Sequence, residues 1–451
     1  SQPDSELTKA QWTIKQAFAL EAKGQSGKLE DAALAGYRKP AQTVAAVDVW
    51  NLTSWARTQL VILPPGGAVA GMAVKSAGGT PVPSQRLRSG ALAFLAADVP
   101  ALAARRFFFS AGEAPAGAGA KAEANTLGNQ RLRLAVDGRT GAIASLRGEG
   151  LPVDLAGAGS GLGLNGYFYV AGRDPKGVQR DANVRIAVGE PGPLIASLDV
   201  DSDAPGCETL RRELALVNGQ DHLLVTNVLV RRQVRTPESV HFGFGFHVPE
   251  GVMRMDIPWA VIRPELDQLP GACKNYFSVG RWVDVSNGDF GVTWTTNDAP
   301  LVEVGAITVD VASPFQSHAF LQTVPPTQTF YSYVMNNYWE TNYKADQPGK
   351  TVFHYAVRPH GPFDAAAATR FAIEQSQPLL AVPVDENAPP ARSEPLLRVE
   401  PASVIVSLLK PSDDGKARIV RLFNAASQPV KATMIVSDSA RRAVAWSSPR
   451  E

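Results

Sequence analysis

Apolar positions recur at two different periods along this chain, and the switch between them divides it. Over residues 8–36, Trp12, Ile14, Ala17, Phe18 and Ala22 follow a loose 3.6-residue spacing. Gly24 to Gly27 interrupts it, and it resumes through Leu29, Ala33 and Tyr37. The spacing predicts two helices. Isolated helices below about 12–15 residues are marginal in water, so these need something else to pack on. From Val44 the period drops to two. AVDVWNLTSWARTQLVILP alternates and closes on Pro64-Pro65-Gly66-Gly67, and further short runs continue to about Ser110. A small β-sandwich is expected over 43–112, after a helical segment at 1–40.

Residues 110–125, SAGEAPAGAGAKAEAN, read as a flexible Gly/Ala/Pro connection. RLRLAV and AIASLR then flank a DGRTG turn, in which Asp137-Gly138 and Thr140-Gly141 supply positive-φ positions, so a hairpin is expected. LIASLDVD, HLLVTNVLVRR, VEVGAITVDV and TFYSYVM alternate in the same way, which predicts stacked antiparallel sheets over 125–385. One helix is expected from Asp364 to Gln375, with Asp364 as its N-cap. VPVDENAPPARSEP reads as a second linker, and 395–451 as a small C-terminal β-domain. With 39 Gly and 34 Pro among short Val/Thr/Phe runs, the class is mainly β.

A chain of 451 residues should divide into about two to four units. Its 44 Lys plus Arg against 43 Asp plus Glu give no excess basic charge for a nucleic acid. No run approaches the ~18 apolar residues of a membrane span. The sequence starts at Ser1 without Met, signal peptide or transit peptide, which leaves its processing history unreadable; a soluble protein is expected, with export left open. Cys207 and Cys273 are far apart and read as two buried free thiols rather than a disulfide.

Zinc takes about four His, Cys, Asp or Glu ligands. The six histidines form no HExxH, HxH or HxD string, and His241 and His247 would lie ~20 Å apart along one strand face. No metal or other cofactor is expected in this chain. Paired carboxylates for a retaining glycosidase must sit ~5–5.5 Å apart. Glu265 and Asp267 fall in a Pro-flanked loop that nothing forces around a sugar, and they can order it with Arg263 instead. A GxSxG elbow and a phosphate loop are both absent.

NNYWETNY, residues 336–343, is the pattern best suited to a saccharide. Tyr338 and Trp339 offer flat faces to pyranose C–H groups, and Asn336, Asn337 and Asn342 can bridge hydroxyls. Trp and Tyr equally fill sandwich cores, as expected for Trp282. Adjacent strand residues point to opposite faces, so at most one of Tyr338 and Trp339 can enter the same core.

Five ordered strings resemble glycoside hydrolase family 38, the α-mannosidases. NLTSWARTQLV (51–61) is similar to the family's strand after its helical bundle, and DGRTGAIASL (137–146) to the hairpin opening its large sandwich. NGYFYVAGRDP (165–175) matches more loosely, and the block from Asp256 to Gly305 matches most fully. NNYWETNY with FHYAVRPH (353–360) completes the set.

The resemblance implies the C-terminal, non-catalytic β-portion of a retaining α-mannosidase. Residues 8–36 would end the helical bundle, and 125–385 would form a large galactose-mutarotase-like supersandwich. It further implies a missing N-terminal catalytic barrel, carrying zinc and two catalytic Asp residues, as partner and α-mannosides as substrate. Arg263 and Asp267 would then reach the barrel's active-site mouth. Two rival readings remain: a stand-alone carbohydrate-binding module using Tyr338 or Trp339, and a mutarotase- or lyase-like enzyme using His354, Tyr355 and His360.

Overall fold

A computed structural model describes residues 4–36, 43–65, 68–69, 73–112, 119–157, 161–308, 320–338 and 346–437. Contacts divide the chain into two units, Ser1–Gly36 with Gly117–Phe363 and Tyr37–Ala116 with Asp364–Glu451.

In the first unit the period-two runs form two facing sheets, of ten and nine described strands. The first runs from Lys121–Glu123 through Thr126–Gly128, Leu132–Val136, Ile143–Gly148 and Leu164–Ala171 to Glu238–Gly245. Thr329–Asn336, Leu301–Val304 and Phe277–Ser278 complete it, and Val178–Arg180 pairs back onto Leu164–Ala171. The second begins with the antiparallel series Ala182–Pro191, Ile195–Asp203, Cys207–Val217 and Leu223–Arg231. Gly349–His360, Gly291–Thr296, Trp282–Ser286, Val252–Ile257 and Ala260–Ile262 follow in order.

Alternate residues of both sheets meet in one apolar core. At its centre Phe244, Phe330, Trp294 and Tyr355 pack ring against ring with centroids 5.1–5.5 Å apart. Polar contacts also bridge the sheets. Asn165 is the extra residue of a bulge opposite Glu238–Gly245, with φ 61°. Its amide exchanges two hydrogen bonds, of 2.9 and 2.7 Å, with Asn227 on the other sheet. Asn tolerates this left-handed conformation better than other side chains with a Cβ.

Local chemistry sets the turns. The DGRTG hairpin forms: Asp137 accepts the N–H groups of Arg139 (2.7 Å) and Thr140 (2.9 Å), and Gly141 takes φ 61°, whereas Gly138 does not take the positive φ expected of it. The expected linker at 110–125 is shorter than its composition suggests, because Lys121–Glu123 joins the sheet and turns Ala122 inward. The N-terminal segment forms a single helix, Glu6–Leu34, instead of two. A helical Gly costs only about 1 kcal/mol, and a Cβ at Gly24 or Gly27 would meet nothing, so no packing forces a break there. Leu7, Ile14, Phe18 and Leu29 are exposed on this helix.

The second unit pairs a five-stranded sheet with a three-stranded one around Phe94, Phe107 and Phe109. Leu380–Val384 joins its five-stranded sheet beside Ala46–Asn51. The helix Ala365–Ser376 has Asp364 as N-cap, as expected. The NLTSWAR string is structural here. Buried Asn51 donates to the carbonyls of Trp55 and Val99, and Arg57 donates to those of Glu374 and Gln377. The Asn51 sequon therefore offers no exposed amide. Two two-stranded sheets lie between Leu397 and Val436. Both cysteines are free; Cys207 is buried as expected, but Cys273 is only partly so.

Replacing Asn227 with Ala strands the buried Asn165 amide, and an unsatisfied buried polar group costs about 1–3 kcal/mol. Urea unfolding should show a loss of that size, and Asn227→Leu should not recover it.

Candidate functional site

The loop 257–278 holds two of the expected site residues. Pro258-Trp259 forms the two-residue turn joining Val252–Ile257 to Ala260–Ile262. Trp259 sits at φ 65°, in the left-handed region, yet its side chain is 61% exposed. Beyond it the chain is pinned. Asp267 accepts the Arg263 N–H at 2.8 Å, and the Asp267 N–H returns to the Arg263 carbonyl at 3.0 Å. The Arg263 guanidinium donates to Glu265. Arg263 and Asp267 thus order the loop, while Asp267 also lines a hollow of about 330 Å³ with Leu269, Cys273 and Tyr276. Leu266 and Leu269 beside it are 62% and 78% exposed.

The aromatic–amide string resolves differently. Asn337 is buried, donates to the carbonyls of Val234 and Thr236, and accepts the Glu238 N–H at 2.6 Å. Its amide therefore closes a turn. Tyr338 is buried against Val170 and Tyr333, donates to Ser239 at 3.0 Å and carries Arg173 over its ring at 5.3 Å. Burial pushes its phenol up to about 12, against the opposing effect of the Ser239 hydrogen bond. Trp339 and Asn342 lie outside the described residues.

The triad of the enzyme reading does not assemble. Tyr355 enters the core and bonds Ser332, whereas His354 pairs with Asp298 at 2.8 Å and His360 with Asp284 at 2.7 Å. The strand bearing His241 ends at Gly245, so His247 lies beyond it, exposed. Among the described residues no three His, Cys, Asp or Glu side chains gather as metal ligands.

Sequence reasoning missed a cluster on the outer face of the ten-stranded sheet. Every residue of Glu238–Gly245 is buried, so this face is covered as well. Register aligns Arg180, Phe168, His241 and Tyr333 across four strands. Gly166, Gly243, Tyr331 and Glu303 form the neighbouring row. His241 stacks on Tyr333, with centroids 4.4 Å apart. Its Nε2 lies 2.7 Å from the Glu303 carboxylate, but neither atom has an aligned hydrogen bond, so the contact is electrostatic. Glu303 accepts from the Thr308 N–H and hydroxyl at 2.8 and 2.7 Å. Both side chains are fully buried and closed to solutes.

No protein-family model matches the sequence, and no curated protein matches it. Solved structures do. An α-mannosidase from Enterococcus faecalis V583 matches with a TM-score of 0.64 at 12% identity, over 88% of this chain and 52% of its own. A glycosyl hydrolase family 38 protein from Enterococcus faecalis matches with the same TM-score at 14% identity, over 88% of this chain and 54% of its own. The chain spans about half the length of these structures.

Two outcomes test this description. A non-Gly residue in the left-handed region costs roughly 1–2 kcal/mol, so Trp259→Gly should raise the unfolding free energy of the chain by about 1 kcal/mol in urea titrations. For Tyr338, the ordinary phenol value is about 10, and the folded value is about 12. Its raised value adds stability that is complete below pH ~10 and lost as pH rises through ~12, because the unfolded chain releases the proton first. Between pH ~9 and ~11 Tyr338→Phe should therefore lose less stability than the unmodified chain. In fold, the chain is like part of the family 38 α-mannosidases.

Proposed function

We propose that this chain is the β-rich, non-catalytic portion of a retaining α-mannosidase of the family 38 type. It braces a separate catalytic segment and presents the loop 257–278 to it. Zinc and the two reacting carboxylates belong to that segment in this reading, and α-mannosides are the substrate. The observation that carries it is the fold likeness, which extends over 88% of this chain and about half of each matching structure. The loop supports it. Apolar side chains on an ordered loop mark a surface meant to be covered, and Trp259, Leu266 and Leu269 are such side chains. In this reading Arg263 and Asp267, fixed beside them, would meet substrate hydroxyls at the rim of the catalytic pocket.

The reading is tested by assaying the chain on 4-nitrophenyl α-mannoside with added zinc. The rate should not exceed that of a heat-denatured control, and turnover clearly above it would place the reacting groups in this chain and overturn the proposal.

A further inference from the structure

Arg180, on the outer face of the ten-stranded sheet, forms no ion pair among the described residues. Its guanidinium lies over the Phe168 ring at 3.9 Å, and Phe168 in turn meets Tyr331 edge to face at 5.3 Å. Two glycines make room for this layer. A Cβ at Gly166 would come within 3.1 Å of an Arg180 terminal nitrogen, and one at Gly243 within 2.6 Å of the Phe168 ring. The Arg180 Nε is buried without a hydrogen-bond partner. Among the described residues no carboxylate pairs with it. The nearest in sequence, Asp181, binds Arg212 at 2.6 Å and acts on Arg180 only through its field. Other buried guanidinium groups of this unit are answered, Arg212 by Asp181 and Arg231 by Glu238.

A half-buried guanidinium held flat on an aromatic ring, with its fork unused, has the geometry for bidentate recognition of an oxyanion. We propose that Arg180, on its Phe168–Tyr331 platform, binds the carboxylate or phosphate group of an anionic ligand on the outer face of the ten-stranded sheet. Burial lowers the Arg180 pKa, against the smaller opposing fields of Asp181 and Tyr331. The site is separate from the loop 257–278 and does not rest on the α-mannosidase reading.

Calorimetric titration of the chain with sodium glucuronate, inorganic phosphate and neutral glucose at low ionic strength tests this. At least one anion should bind saturably, and glucose should not. Arg180→Ala should weaken anion binding at least tenfold. Arg180→Lys should fall between, because an ammonium keeps the charge but loses the fork. Binding of glucuronate alone identifies a sugar acid as ligand, and equal binding of phosphate identifies the oxyanion itself. An anion-dependent rise in melting temperature, present in the unmodified chain and reduced in Arg180→Lys, gives a second reading if Arg180→Ala does not fold. No saturable binding of either anion, binding of glucose as tight as that of the anions, or affinity unchanged in Arg180→Ala or Arg180→Lys overturns the proposal.

Discussion

The larger unit depends on one bulge. Side chains alternate faces along a strand, so a slip of one residue would exchange the inner and outer sets of Leu164–Ala171. The extra residue at Asn165 absorbs that slip, and its reciprocal bonds to Asn227 anchor it to the opposite sheet. With the bulge fixed, Tyr167 and Tyr169 face the core, where they reach the Pro205 carbonyl and Glu238. Gly166, Phe168 and Val170 then face outward. The Arg180 layer, the contact between Phe168 and Tyr331, and the seat of Tyr338 all follow from this parity. An apolar pair at 165 and 227 could fill the same space, but it would not select one register.

Central strands buried on both faces change what the outer face must supply. An exposed outer face would carry ordinary charged residues, each solvated. Here the covered face carries His241, Glu303, Tyr331 and Tyr333, whose polar atoms need partners within the protein. Glu303 finds a partner in Thr308, and Tyr338 on the same face in Ser239. His241 Nδ1 and Arg180 Nε do not. Buried polar groups without partners are uncommon enough to need a reason, and the two differ in the reason available. His241 is sealed under Tyr333 beside a carboxylate, whereas Arg180 is only half-buried.

Features written in contiguous residues were legible in the sequence. The 132–148 hairpin and the Asp364 cap depend on side chains bonding backbone two or three residues away, so their signals are local. The alternation of the large sandwich is local as well. Register is not. Parity places His241 on one face of its strand, but nothing local reveals that the strands of Phe168 and Tyr333 flank it, or that Glu303 reaches it across a third strand. The same limit hid the role of Asn337, whose string suggested a sugar contact while its partners lie about a hundred residues earlier in sequence. The N-terminal helix failed for a different reason: Gly24 and Gly27 signal a break only where tertiary packing uses it, and none does here.

Stability accounts for most of the unusual residues and fails at two. Asn51, Asn165, Asn337, Arg212 and Glu238 are all buried polar groups whose bonds hold backbone, a facing amide or an opposite charge in place. Each would be costly to remove. Trp259 and Arg180 are the reverse. An exposed indole in a left-handed conformation costs stability without covering the core, and a half-buried guanidinium that forms no ion pair costs solvation. Residues that weaken the free protein in this way are expected where something outside it completes the contact. The two lie in different settings, one at the tip of an apolar loop and the other on a sheet face. The first therefore calls for a macromolecular surface, and the second for a small anion.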